Sequence, residues 1–443
     1  MKKCFLIILA FLFIAWLPSV YRGQADASSE LTASAKSFVD LFMKKDFPSV
    51  VDRFDATMKN LFTPEKMLEV WDDLIAKSGA YKLQTSTRSE EKSGYKIIVV
   101  TGEFEKATME INVVFDKEKK IAGMFFTPVR KEYESPGYVK QNSFREQDVT
   151  VGSGEWALSG TLTLPGGTGP FPAVVLVHGS GANDRDETIG QTKVFRDLAG
   201  GLASRGIAVL RYEKRSLQHA GKFNVLPRFT VKEEVLDDAA AAIDLLRNSK
   251  GIDPKKIFVI GHSLGGMLVP RLGKLKPEVA GLIAMAGPAR PLEDIILEQT
   301  IYLSSFDGNI SKAEQEEIDT TKKRIQTVKN FKAADAASAA FVYGAPAAYW
   351  LDLQGYDPPK AAALLKQQRL LILQGERDYQ VTMVDFGAWK KALSSNANVA
   401  FKSYPGLNHH FVEGKEKSIP AEYDTPGHVA EIVINDIAAW IKK

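Results

Sequence analysis

The sequence predicts an α/β protein: a largely parallel sheet flanked by helices and covered by a helical cap, with a small α+β domain in front of it. Three observations lead there. From residue 148 onward, short continuous apolar runs alternate with amphipathic stretches, as expected of strands buried on both faces and joined by crossover helices. Before that point, helical periodicity gives way to period-two alternation, which reads as helices followed by an antiparallel sheet. The chain has 443 residues, 45% hydrophobic and 25% charged. That composition excludes a disordered or fibrous chain and is enough for about two domains, each with its own core.

The chain opens on Lys2 and Lys3, followed by an apolar run over 4–17, then Pro18 and Ala25-Asp26-Ala27 in an A-x-A pattern. This reads as a secretory signal peptide over 1–27, cleaved after Ala27. The run falls short of the ~20 residues a membrane span needs. An uncleaved anchor is the alternative. Cleavage would leave no membrane span and an exported protein, extracellular or in the cell envelope. The only cysteine, Cys4, would leave with it. A cysteine nucleophile, a thiolate metal site and a disulfide framework are thereby excluded.

The formal net charge is +3, from 57 Lys+Arg against 54 Asp+Glu. The charges are interspersed, so nucleic acid is not an expected partner. Gly152-Ser153-Gly154 lacks the remainder of a dinucleotide-binding G-x-G-x-x-G. Asp184, Asp186 and Glu187 read as solvated or salt-bridged loop acids rather than a calcium site. No cofactor and no metal are expected.

The first domain is expected over 28–130. Leu31, Ala35, Phe38, Val39, Phe42 and Met43 recur at helical spacing, and Val50, Val51, Phe54, Met58 and Leu61 continue on a second helix. Thr63 caps a third, with Pro64 at its first position and Gly79 at its end. Strands follow at 95–100, 109–115 and 121–126. The pattern resembles the small cone-shaped domain of nuclear transport factor-like proteins, and an N-terminal domain of unknown function found before secreted bacterial hydrolases. Its charged residues read as a solvated face. Such concave sheets could bind a ligand or form a homodimer. Residues 131–147 read as a linker, with Pro136-Gly137 as a breaker.

The second domain is expected over 148–443. Strands are read at 158–164, 173–177, 207–210, 257–260, 282–285, 370–373 and 399–404. Helices are read at 195–204, 231–247 and 264–274. No strand is read between Gly287 and Gln368, so a helical cap is expected at about 288–365.

Gly261-His262-Ser263-Leu264-Gly265-Gly266 lies between the 257–260 strand and the 264–274 helix. This is the G-x-S-x-G nucleophile elbow in its required context. The chain must reverse sharply there, and glycines leave no side chains to clash. The helix start aims free N–H groups at developing negative charge. His178-Gly179-Ser180-Gly181 follows the 173–177 strand, Gly375-Glu376-Arg377-Asp378 follows the 370–373 strand, and Gly406-Leu407-Asn408-His409 follows the last. In these segments and their order, the chain from about residue 148 resembles the α/β-hydrolase family, most closely its serine esterase and prolyl oligopeptidase-like branch. Asn183-Asp184-Arg185-Asp186-Glu187, Leu210-Arg211-Tyr212-Glu213-Lys214-Arg215 and Tyr349-Trp350-Leu351-Asp352-Leu353 are similar to segments of bacterial exported esterases.

The resemblance implies Ser263 as nucleophile, with acid and base following it in chain order. Of six histidines, that leaves His409, His410 and His428. His409 is preferred because it emerges directly after the last strand, with His410 its nearest rival. His428 reads as structural, and His262 as a packed elbow residue. Asp378 is preferred as the acid that orients the imidazole, with Glu376 as the alternative. Backbone N–H groups of Leu264 and Ser180 are the expected oxyanion donors. The expected reaction is hydrolysis of a small-molecule carboxylic ester through an acyl-enzyme. Aminopeptidase or amidase, and thioesterase or acyltransferase, could use the same triad. An exported binding module with a vestigial triad is the alternative of another class.

Overall fold

The structure is a computed structural model that describes residues 27–92, 95–129, 133–338 and 340–443. The segment read as a signal peptide, apart from Ala27, lies outside the described residues. The chain divides into two compact units, the first ending at Glu132 and the second spanning Tyr133–Lys443.

In the first unit, helices Ala27–Met43, Phe47–Asp52, Ala56–Leu61 and Pro64–Ser78 precede a four-stranded antiparallel sheet. Its strands lie in chain order: Tyr81–Lys92, Tyr95–Phe104, Thr108–Phe115 and Ile121–Pro128. Met109, Ile111, Val113 and Phe115 alternate onto the buried face, where they meet Phe38, Phe42 and Phe54. The second helix of the sequence reading is two helices. Asp55 interrupts it, its Oδ1 accepting the Met58 N–H at 2.7 Å while its own N–H donates to the Ile121 carbonyl at 2.9 Å. The Tyr81–Lys92 strand escaped the sequence reading because it is a polar edge strand with few apolar residues to alternate.

The second unit is built on an eight-stranded sheet. From one edge the strands are Val399–Tyr404, Arg369–Gly375, Gly281–Met285, Ile252–His262, Phe171–Val177, Ala208–Tyr212, Leu158–Pro165 and Phe144–Val151. The first six are mutually parallel; Leu158–Pro165 runs antiparallel to them, and the edge strand Phe144–Val151 runs antiparallel to Leu158–Pro165. Phe171–Val177 shows why the central strands are apolar throughout. Ala173, Val175 and Val177 point into one core with helices Asp237–Arg247, Leu264–Leu275 and Met383–Leu393. Val174 and Leu176 point into the other, with helices Val194–Ala203 and Glu431–Lys442.

Two boundaries differ from the sequence reading. Part of the expected linker belongs to this unit: Tyr138 donates to the Val429 carbonyl at 2.7 Å, and Phe144 starts the edge strand. The expected cap also divides. Helices Leu292–Ser304 and Lys312–Asn330 are present, but Val328, Phe331, Tyr349, Trp350 and Leu353 join the sheet's own core. A short hairpin, Phe341–Val342 with Ala345–Pro346, follows the second helix. Among the described residues, no helix is long and apolar enough to cross a membrane.

The helix break at Asp55 has a measurable consequence. Asp55→Ala should destabilise the protein by about 1 kcal/mol, the usual cost of losing an N-cap acceptor, read by chemical denaturation. Unchanged or higher stability would mean that residues 50–61 tolerate one continuous helix.

Candidate active site

Strand Ile252–His262 occupies the middle of the sheet and delivers Ser263 at its C-terminal end. The chain turns there at φ 53° and ψ −119°, and helix Leu264–Leu275 starts at the next residue. A non-glycine residue held at positive φ costs on the order of 1–3 kcal/mol. The neighbours leave it no alternative. A Cβ on Gly261 would lie 2.2 Å from the Gly265 carbonyl oxygen, and one on Gly265 would lie 2.3 Å from that of Val177. The Ser263 N–H is anchored on the Met285 carbonyl at 2.9 Å. Ser263 is half-buried, and its hydroxyl has no hydrogen-bond partner among the described residues.

Asp378 and His409 come from loops after two other parallel strands, and the structure brings them together. His409 Nδ1 lies 2.7 Å from Asp378 Oδ2. Gln374 Nε2 donates to the same oxygen at 3.0 Å. Asp378 Oδ1 accepts the N–H groups of Gln380 and Val381 at 2.7 and 3.0 Å. Both carboxylate oxygens are therefore fixed, and the carboxylate assigns the His409 proton to Nδ1, leaving Nε2 as the basic nitrogen. The His409 loop packs on the strand below it: a Cβ on Gly375 would lie 2.5 Å from the carbonyl oxygens of Leu407 and Asn408.

The competing residues are engaged elsewhere. Glu376 is exposed and accepts the Ser403 hydroxyl at 2.7 Å. His428 lies 3.2 Å from Asp197, and that hydrogen bond raises its pKa. His410 stacks edge-on against Tyr423. Burial, then the neighbouring His409 and His262, push it well below the usual imidazole range.

His262 is more than a packed elbow residue. Its Nε2 donates to the His409 carbonyl at 2.9 Å. Its Nδ1 sits 3.0 Å from Glu187 Oε2, outside hydrogen-bond alignment, so that contact is electrostatic. Burial works against charge on both partners, yet their mutual attraction prevails: the Glu187 carboxyl is held low and the His262 imidazole is raised. Glu187 Oε1 accepts the Gly179 N–H at 2.7 Å. Of the two sequence readings of Glu187, a solvated or a salt-bridged loop acid, the salt bridge holds: it is buried and ties the Gly179 loop to the His409 loop through His262. The one sequence signal was its place at the end of an acidic run beside that loop.

The Gly179 loop lies against Ser263. A Cβ on Gly179 would come within 3.1 Å of Ser263 Cβ. Neither the Ser180 N–H nor the Leu264 N–H has a hydrogen-bond acceptor among the described residues. His178 anchors the loop from below, its Nε2 3.0 Å from the Asp184 carbonyl and its ring against Phe195 and Tyr212. Candidate metal ligands do cluster: nitrogens of His262, His409 and His410 lie within 4.8 Å of one another. An ion there would compete with the bonds that His262 and His409 already make.

The profile of the alpha/beta hydrolase family matches residues 174–415, and a family described as a protein of unknown function (DUF3887) matches residues 35–124. Esterase EstD of Thermotoga maritima is 39% identical over 407 residues, covering 92% of this chain and 94% of its own. A monoacylglycerol lipase of Mycolicibacterium smegmatis is 23% identical over 277 residues, covering 62% of this chain and 89% of its own. A solved esterase of Pyrococcus furiosus superposes with a TM-score of 0.43 at 17% identity, covering 71% of this chain and 96% of that one. The chain belongs to the alpha/beta hydrolase family.

Burial pushes His178 down to about 4 from 6.5. The unfolded chain therefore binds a proton between those values that the folded one refuses, and stability falls as pH drops through that window. The loss through this residue should reach about 2 kcal/mol between pH 7 and pH 5. His178→Gln, which keeps a donor but cannot titrate, should show a correspondingly shallower fall in denaturation free energy. An identical acid slope in the two proteins would contradict a neutral, buried His178.

Proposed function

We propose that this alpha/beta hydrolase cleaves carboxylic esters through an acyl-enzyme. In this reading Ser263 is the nucleophile, His409 the general base and then acid, Asp378 its orienting carboxylate, and the Ser180 and Leu264 N–H groups the oxyanion donors. The observation that carries the reading is the convergence at one end of the sheet of a strained, glycine-hemmed serine, a carboxylate-oriented imidazole and two unpaired N–H groups.

Each part has a chemical task. Ser263 Oγ attacks the ester carbonyl while His409 Nε2 takes its proton. The carbonyl π pair becomes an oxyanion facing Ser180 and Leu264. His409 returns the proton to the leaving alcohol, and the C–O bond breaks to give the acyl-serine. Water then attacks by the same steps in reverse order of partners, releasing the acid and restoring Ser263. Asp378 keeps Nδ1 protonated throughout, so the second nitrogen always faces the reacting oxygen.

An amidase or thioesterase would use the same groups. The esterase name of the 39% identical relative favours an oxygen ester, and a small-molecule ester is the expected partner. Export through the leader segment belongs to the same proposal and rests on the sequence.

Ser263→Ala should abolish fluorophosphonate labelling and nearly all hydrolysis of a nitrophenyl ester; full turnover by this variant would sink the serine mechanism. Asp378→Asn should lower kcat by roughly 10³–10⁴-fold through loss of the tautomer. His409→Ala should cost about as much as Ser263→Ala, because members of such a unit do not act additively. His410→Ala should cost far less per folded molecule. The reverse order for the two histidines would shift the base by one residue.

A further inference from the structure

We propose that Lys214 is a positioning residue of the oxyanion hole. Its ammonium orients and polarises the Gly179–Ser180 peptide so that the Ser180 N–H meets the developing oxyanion, and Glu234 and Tyr349 hold it there. The inference rests on the reading of Ser180 as an oxyanion donor.

The argument starts from the peptide plane. The Gly179 carbonyl and the Ser180 N–H belong to one planar group and point in opposite directions. Whatever anchors the carbonyl therefore aims the N–H. Lys214 Nζ donates to the Gly179 carbonyl at 2.7 Å. Asn183 Nδ2 supports the same oxygen at 3.2 Å and the Ser180 carbonyl at 3.1 Å. On the preceding side, Glu187 holds the Gly179 N–H. The peptide that carries the donor is thus clamped at both ends, while the donor itself has no acceptor among the described residues.

The choice of an ammonium matters. Packing alone would be served by a neutral donor such as Asn183. A charged donor on the carbonyl oxygen draws electron density through the amide and strengthens the hydrogen bond its N–H can make. The charge is kept in place at a distance from solvent. Lys214 is only 2% exposed, and its Nζ also meets Glu234 Oε1 at 2.7 Å. Glu234 Oε2 accepts the Tyr349 hydroxyl at 2.9 Å. Burial and the facing carboxylate push the Tyr349 phenol well above its ordinary value, so it stays a donor. Glu234 comes from a π-helical turn, Lys232–Leu236, which leads directly into helix Asp237–Arg247. Such turns recur at functional sites. A buried ion pair adds little net stability against an apolar replacement. An unbroken line from Tyr349 through Glu234 and Lys214 to the oxyanion peptide is better accounted for by preorganisation.

The test uses Lys214→Met and Tyr349→Phe in the full chain. Active sites are counted by end-point titration with a fluorophosphonate, so a misfolded fraction does not lower the rate per site. The probe is a trifluoromethyl ketone. It adds Ser263 Oγ to its carbonyl carbon, places the resulting oxyanion in the hole and sends the serine proton to His409. Lys214→Met should lower kcat per site by about 10²-fold, the usual loss for one oxyanion donor, with KM changed less than about 3-fold. The ketone Ki should rise by the same factor as kcat/KM falls. Tyr349→Phe should follow the same proportionality at roughly 3–10-fold. A Lys214→Met enzyme with wild-type kcat per site and Ki overturns the proposal. If that variant does not fold, wild-type values in Tyr349→Phe overturn it. Ser263→Ala separates the underlying reading: activity retained there defeats the serine mechanism itself, whereas its loss beside a normal Lys214→Met defeats only the positioning role.

Discussion

The upper end of the sheet is organised around one backbone constraint, the reversal at Ser263. At φ 53° and ψ −119° the serine occupies a conformation that side chains seldom adopt, and it persists because the surroundings overdetermine it. Gly265 passes so close to the Val177 and His178 carbonyls that no side chain fits between them. Gly266 is similarly pressed against Gly287, and a Cβ there would lie 2.9 Å from its Cα. The elbow is therefore locked to the strand on each side of it, Phe171–Val177 and Gly281–Met285. Those same strands run on into the Gly179 loop and into the start of the expected cap. Shape at one residue propagates to both.

The charges beneath this end follow from the same need. Glu187–His262, Lys214–Glu234, Asp186–Arg211 and Arg215–Asp238 are all ion pairs with little exposure. Desolvation offsets most of the attraction in such pairs, so they are poor candidates for the source of stability. What they supply is direction. A loop exposed at its tip, such as Ser180-Gly181-Ala182, has few apolar contacts to hold it. Charged hydrogen bonds from below hold its peptide planes while leaving its N–H groups free. Preorganised dipoles of this kind need not reorient when charge develops above them.

How much of this was legible in the sequence depends on how local the signal was. Strands buried on both faces announce themselves as apolar runs, and 399–404 is found with the same bounds in the structure. Phe144–Val151 and Tyr81–Lys92 were illegible as strands because they are exposed edges rich in polar residues. The elbow was legible because its glycines sit within five residues, Gly261 to Gly265, of one another. His409 and His410 could not be told apart by position; a contact with Asp378, distant in the chain, distinguishes them. Glu187 and Lys214 stood in segments that looked familiar, yet their partners His262 and Glu234 lie in other elements, and no spacing encodes such pairings.

The two buried carboxylate–imidazole pairs show how environment divides one chemistry into two roles. Asp378–His409 and Glu187–His262 are alike in composition, in burial and in the short approach of Nδ1 to a carboxylate oxygen. The difference is the second nitrogen. His262 spends its Nε2 on the His409 carbonyl. His409 makes no such commitment. The rings lie 4.8 Å apart between centroids. Paired with Glu187, His262 still donates to the backbone carbonyl of His409. The inner pair thus ties the backbone of His409 to the Gly179 loop, and the outer pair leaves His409 Nε2 uncommitted among the described residues.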